Sequence, residues 1–206
     1  MYCPAHFAQT DTATLHALLR ARPLATLVTL GEHGPNADHI PLLLDTTGGG
    51  TPVLRGHVAR ANPMWKTLRA GSEALAIFHG PDAYITPAWY PAKREHGKVV
   101  PTWNYAVVHA RGPLRIVHDT DWLRAQLAAL TGQQEAPLAD PWAIGDAPAE
   151  YIEAMLAAVV GIELTVTALE GKWKASQNQP EGNRAGVIAG LRERGETAAA
   201  ALIEGR

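Results

Sequence analysis

Cysteine is almost missing from this chain: Cys3 is the only one in 206 residues. That excludes an intrachain disulfide framework and fits a reducing compartment. Charge of either sign is also in short supply, with a formal net charge of −2 and a pI near 6.5. A nucleic-acid module draws most of its affinity from phosphate neutralisation and so carries a basic stripe. Here the densest basic cluster is Lys93-Arg94 with Lys98, interrupted by Glu95. No apolar run approaches the length of a membrane span, and Met1-Tyr2-Cys3-Pro4 has none of the charged and apolar regions of a signal peptide. The expectation is a soluble, cytoplasmic protein. Internal repeats are absent, as are a G-x-S-x-G nucleophile elbow, a G-x-G-x-x-G dinucleotide fingerprint and a helix-turn-helix. The nine histidines include His39, His57, His79 and His109 on predicted strands, but none stands at a recognised ligand spacing such as H-x-x-x-H. No metal site is expected.

What is present reads as alternating short strands with helices at the ends. Thr10 or Asp11 caps a first helix carrying Leu15, Leu18 and Leu19 and ended by Pro23. Leu24–Leu30 is apolar and β-branched, a buried strand. Asn36–Asp45 should pair with it as a hairpin, Pro41 marking an edge, a bulge or a backbone that faces a ligand. Val53–Val58 is a third strand. Asn62 and Pro63 are a good cap and first residue for a helix bearing Met64, Trp65 and Leu68. A strand over Ala74–His79 follows, and Leu114–Val117 extends the sheet beyond a Gly112-Pro113 break. Leu123, Leu127 and Leu130 mark a helix closed by Gly132; after a loop over Gln133–Pro148, Ile152, Met155, Leu156 and Val159 mark another. Gly161–Leu169 alternates as a strand, and the end is Ala-rich helix broken at Gly195. About six or seven short strands suggest a small antiparallel barrel, which removes exposed sheet edges. The expected organisation is one domain over 1–206, with a helical insertion near 119–160 and a helical tail near 183–206.

The chemistry concentrates between Phe78 and Gly112. Tyr84, Tyr90, Tyr105, Trp89 and Trp103 interleave there with Gly80, Pro81, Pro87, Pro91 and Pro101, with Trp65 just upstream. Such rings form either core or the wall of a flat, partly polar ligand site. In the strand opened by Trp103, Asn104, Ala106, Val108 and Ala110 share one face, and Trp103, Tyr105, Val107 and His109 the other. Arg60 beside the predicted helix start, with His57 before it, is a candidate anion site; a solvated surface arginine is the plain alternative. Lys172, Lys174, Ser176, Gln177 and Asn178 form a second polar cluster, equally open to loop bonding.

These residues fall into motifs along most of the chain: Met1-Tyr2-Pro4-Phe7; His39-Ile40-Pro41-Leu42; Gly56-His57, Ala59, Asn62-Pro63 and Trp65; Phe78 to Tyr90; Val100 to Gly112; and Lys174 to Asn178. In that order they resemble the PaiB-type FMN-binding negative transcriptional regulators. One position departs: Gln179 stands where that family commonly has a basic residue, with Arg184 nearby. The resemblance implies an FMN-binding split β-barrel of the PNP-oxidase-like class, mainly β with a C-terminal helical part. It implies a homodimer with each FMN between subunits. Carried over by position, His57, Ala59, Arg60 and Asn62 would meet the phosphate, and His39, Ile40, Pro41 and Leu42 would present backbone to the ring edge. Trp103, Asn104 and Tyr105 would help close the site, with Lys174, Ser176, Gln177 and Asn178 approaching from the last strand. A regulator acting on DNA directly or indirectly is the first functional expectation. A flavin-dependent oxidoreductase is the second, for which Tyr84, Tyr90 and His109 are possible acids or bases. A haem- or metal-handling split barrel ranks third.

Overall fold

The structure, a computed structural model, describes residues 1–32, 34–68 and 72–205. In chain order the elements are β1 (Ala8–Gln9), α1 (Thr12–Ala21), β2 (Leu24–Gly31), β3 (Gly34–Pro41), β4 (Leu43–Asp45), β5 (Val53–Ala59), α2 (Met64–Thr67) and β6 (Glu73–Ile85). Then come α3 (Ala92–Glu95), β7 (Thr102–Val117), α4 (Thr120–Glu135), α5 (Ala149–Ala157), β8 (Val159–Thr165), β9 (Ala168–Lys174), α6 (Glu181–Glu193) and α7 (Thr197–Glu204). The sheet order is β3-β2-β6-β7-β8-β5-β4, with β9 joined to β7 and to β1, and the pairs β1–β9, β2–β3, β2–β6, β4–β5, β5–β8 and β7–β8 are antiparallel. Among the described residues the sheet is antiparallel and flanked by helices as expected, and its ladder is an open path rather than a closed barrel. The Asn36–Asp45 strand is in fact two. It breaks at buried Leu42, where the chain leaves the β2 ladder for the β5 ladder. Pro41, lacking an N–H, ends the terminal strand β3, a place proline tolerates.

By compactness the chain divides into two units: residues 1–15, 79–108 and 170–206 form one, and residues 16–78 and 109–169 the other. In the first unit, Ala8 and Gln9 pair with Lys172 and Gly171. Its core gathers Ile85, Tyr90, Val187, Leu191 and Ile203. The terminal helical stretch breaks at Gly195 as expected, into α6 and α7, and the φ of +75° there suits glycine. In the second unit, Leu27, Leu54, Ile162 and Leu164 are fully buried, and α4 and α5 pack Leu123, Ile152 and Leu156 together.

Several local readings change. β6 and β7 run straight through Gly80-Pro81 and Gly112-Pro113, which the sequence alone presents as breaks. In β6 the glycine-proline pair instead shifts the alternation: Ala74, Ala76 and Phe78 are buried before it, Ala83 and Ile85 after it. In β7, a Cβ on Gly112 would lie 1.7 Å from the Thr165 carbonyl oxygen, so glycine there serves a close approach rather than a turn. α2 is a single turn that stops before Leu68, and α4 continues past Gly132 to Glu135. Val159 belongs to β8, not to the preceding helix, and the Gly161–Leu169 strand is divided between β8 and β9. The first cap, in contrast, sits where expected, Asp11 accepting from the Thr14 N–H at 2.8 Å, and Asp119 caps α4 by accepting from the Trp122 N–H at 2.7 Å.

Cross-strand charge ties the second unit. Glu163 on β8 stands opposite Arg55 on β5 and Arg115 on β7. It accepts from Arg55 Nε at 3.1 Å and Arg115 Nε at 2.8 Å, while Arg55 Nη1 reaches Asp45 at 2.8 Å. Glu163 is only 8% exposed, so removing its charge leaves two facing guanidiniums. Glu163→Gln should therefore destabilise by about 1–3 kcal/mol, read as a lowered urea midpoint. Gly112→Ala should cost about 3 kcal/mol or more by overpacking; an unchanged midpoint would remove the close-approach explanation.

Candidate functional site

β5 alternates strictly, burying Leu54, Gly56 and Val58 and turning Arg55, His57 and Ala59 to the other face. Position 56 has room for nothing larger: a Cβ would lie 2.7 Å from Leu42 Cδ2 and 2.9 Å from the Pro41 carbonyl oxygen. This close approach brings the end of β3 to β5. A cavity of about 360 Å³ results, lined by His39, Ile40 and Pro41 from β3 and by His57, Ala59 and Asn62 from β5 and the turn after it. Asp38, Val58 and Val159 complete the wall. A larger cavity of about 770 Å³ shares Asp38, Ala59 and Asn62 and runs along Gly31, Pro35 and Met64. Both lie wholly within the second unit.

Three polar arrangements shape this cradle. Asn62 Nδ2 donates to Asp38 Oδ1 at 2.8 Å, and Asn36 Nδ2 donates to Asp38 Oδ2 at 2.6 Å, so both carboxylate oxygens are engaged. Asn62 Oδ1 accepts from the Met64 N–H at 2.8 Å. The helix end is thus already capped, and one turn carries little dipole; the helix-terminus anion site expected beside Arg60 is not what holds that residue. Arg60 instead donates through Nε to the Ala157 oxygen at 2.6 Å and through Nη2 to the Val159 oxygen at 2.8 Å. It does not line the 360 Å³ cavity. His57 hydrogen-bonds through Nδ1 to Gln126 Oε1 at 3.1 Å, so the neutral ring carries its proton on Nδ1. Burial holds the His57 ring below the usual histidine range, partly opposed by that Gln126 bond. The other end of Gln126, Nε2, is buried without a partner.

The remaining expected residues fall in the first unit. Asn104 is 1% exposed and donates from Nδ2 to Ser176 Oγ at 2.8 Å, while its Oδ1 is buried and unpartnered. Ser176 has φ +58°, an uncommon conformation for a side chain other than glycine. Gln177 braces that loop, accepting from the Ala175 N–H at 2.7 Å and donating to the Trp173 oxygen at 2.5 Å; Asn178 is exposed. Lys174 Nζ donates to Thr102 Oγ1 and, at 2.7 Å, to the Trp103 oxygen. Burial, then the neighbouring Lys172 charge, lowers the Lys174 ammonium from its ordinary range. Lys172 itself lies over the Tyr105 ring at 5.3 Å and the Tyr2 ring at 5.7 Å. Trp103, Tyr105 and His79 wall a cavity of about 300 Å³, with Tyr84 edge-on to Trp103 at 5.9 Å. Arg184, near the departing position Gln179, donates through Nη2 to the Ile203 oxygen at 3.1 Å. Asp38, Gln126 and Val159 were not selected from the sequence. Each meets the site through a partner more than twenty residues away, and no local pattern marks that. Among the described residues no group of three or more His, Cys, Asp or Glu is placed to hold a metal ion, and no helix is long and apolar enough to cross a membrane.

The two cavities of the second unit suit FMN in kind: backbone edges, small side chains and a few convergent polar groups, in the usual volume range for cofactor sites. In the first unit, the orphaned Asn104 Oδ1 is an acceptor awaiting a donor such as a flavin ring N–H.

The His57 pKa direction sets a pH dependence. A histidine depressed in the folded state takes up its proton first in the unfolded chain, so its stabilising contribution is lost as pH falls from about 6.5. His16 shifts the same way, through burial and then Arg20. Urea midpoints at pH 7.5 and 5.0 should therefore fall for the wild type and fall less for His57→Leu; equal losses would remove His57 from the account.

Against known sequences, residues 1–168 match the family described as "Putative FMN-binding domain". A protein of Emericella nidulans described as uncharacterized is 36% identical, covering 96% of this chain and 93% of its own length. The Bacillus subtilis protein named protease synthase and sporulation protein PAI 2 is 31% identical, covering 93% of this chain and 89% of its own. Among solved structures, the flavocytochrome Anf3 from Azotobacter vinelandii superposes with a TM-score of 0.57 at 17% identity, over 81% of this chain and 69% of that one. That likeness is one of fold, the flavin split-barrel class. With a family match over most of its length, the chain belongs to the FMN-binding domain family, and FMN is the cofactor this membership assigns.

Proposed function

We propose that this chain is a PaiB-type FMN-binding regulator acting as a homodimer in the cytoplasm. The observation that carries this reading is the 31% identity to the Bacillus subtilis PAI 2 protein over 93% of the chain. In the proposed binding mode His39, Ile40, Pro41 and Leu42 give backbone to the ring edge, and His57, Ala59, Arg60 and Asn62 meet the phosphate. The two carbonyl bonds of Arg60 support this role, since they fix the guanidinium and leave Nη1 outside both. Trp103, Asn104, Tyr105, Lys174, Ser176, Gln177 and Asn178 are a second set of proposed FMN contacts. Lys172 and Lys174, two residues apart on β9, repel each other, and an anionic ligand nearby would relieve that repulsion. Trp103 at 54% exposure, beside half-exposed Tyr84, supports a partner-covered surface.

A second reading, a flavin-dependent oxidoreductase, is favoured by the cavity walled by Trp103, Tyr105 and His79, which suits a flat, partly polar molecule. FMN when bound supplies hydride and electron transfer; this chain's residues bind, orient and exclude water.

Purified protein should be yellow, release FMN on denaturation and elute as a dimer. Fluorescence titration should give micromolar or tighter FMN affinity, about −8 kcal/mol. Arg60→Ala should weaken it about tenfold or more, the loss of a charge-assisted bond. Unchanged affinity would withdraw the phosphate assignment. A salt-dependent mobility shift on DNA from its own operon supports direct regulation; anaerobic reduction by NAD(P)H with turnover of an acceptor supports the enzyme instead.

A further inference from the structure

The first unit holds another cavity, of about 280 Å³, whose lining includes none of the proposed FMN contacts. Tyr90, His96 and Lys98 meet Gln179 and Asn183 around it. None of these five residues is among the proposed FMN contacts, and their polar chemistry is one-sided.

Lys98 brings an ammonium, with donors and no acceptor. Its backbone N–H donates to His96 Nδ1 at 3.0 Å, so the neutral imidazole carries its proton on Nε2, a second donor. Tyr90 is 3% exposed, and its hydroxyl is buried with no hydrogen-bond partner. Burial also pushes the Tyr90 phenol up, which keeps it an O–H donor. Asn183 is committed at both ends: Oδ1 accepts from the Ala92 N–H at 3.5 Å, and Nδ2 donates to Gln179 Oε1 at 3.0 Å. That second bond occupies the acceptor end of Gln179 and leaves its NH₂ end as a further donor. Among the described lining residues there is no Asp or Glu. The rest of the wall is apolar, with Val99, Val100 and Pro180.

We propose that this cavity binds a small organic carboxylate. The carboxylate group takes the donors of Tyr90, His96 and Lys98, and a short hydrocarbon body lies on Val99, Val100 and Pro180. A water occupies about 30 Å³ of liquid, so the space matches an acid between butyrate and benzoate in size and not a nucleotide. Inorganic phosphate would engage the donors but leave the apolar wall uncovered, which is why the carboxylate is the better match.

Isothermal titration of the purified full chain with butyrate, benzoate and inorganic phosphate tests this. Saturable binding of at least one acid is expected, tighter than that of phosphate. Tyr90→Phe should weaken it about tenfold while keeping or raising the thermal midpoint, because the change deletes an unpaired buried hydroxyl. Lys98 is exposed, so Lys98→Ala should fold normally and weaken acid binding to a similar degree. Lys98→Ala should leave FMN affinity unaltered. Three results overturn the proposal: no saturable heat with either acid, phosphate binding more tightly than both, or acid affinity unchanged in Lys98→Ala.

Discussion

The close approach at Gly56 is the constraint on which the rest of the second unit's site depends. With no Cβ at that position, β5 lies hard against Pro41 and Leu42 at the point where the chain passes between ladders. The β4–β5 pairing, with Leu43 opposite Arg55, leads Leu42 to Gly56, and the missing Cβ lets the end of β3 follow although β3 and β4 stand at opposite ends of the ladder order. Because β5 alternates, the same contact that buries Gly56 turns its neighbours His57 and Ala59 to the face that lines the cavity. A packing requirement thereby becomes a binding geometry.

Around that geometry the polar groups restrain one another. Asp38 spends its charge on Asn36 and Asn62, Asn62 also caps α2, and Gln126 fixes the His57 tautomer. Such cross-bracing lets a pocket keep a few oriented donors and acceptors without leaving a bare carboxylate to repel an anionic cofactor. The first unit has a comparable device around Ser176. The left-handed backbone there is held by the Asn104–Ser176 bond and by Gln177 reaching back along its own loop. Strain of that kind persists where surrounding bonds over-determine it, as at ligand sites.

Particular elements explain how far the residue pattern could be read in advance. Asn104, Ala106, Val108 and Ala110 alternate, and all four are buried as their shared face implies. Asp11 and Asp119 cap helices through bonds spanning three residues, a distance that local pattern covers. Gly80-Pro81 and Gly112-Pro113 were misleading because turn propensity is local, whereas the strands continue under tertiary pairing. Arg60 shows the same limit at the site: its neighbours in sequence suggested a helix end, but its partners come from residues 157 and 159. Of the expected contact residues, His39, Ile40, Pro41, His57, Ala59 and Asn62 line one cavity of the second unit, and Arg60 does not.

The sequence by itself determined which segments alternate, where helices begin, that no intrachain disulfide can form and, through its ordered motifs, membership of an FMN-binding family. Those properties are written in neighbouring residues or in whole motifs. Only the tertiary structure decided that the ladder stays open, that Gly56 and Gly112 are close-approach glycines, and that Asp38 and Gln126 stand behind the site. Each of these depends on atoms far apart in the chain meeting within a few ångströms, and such meetings follow from packing rather than from local preference.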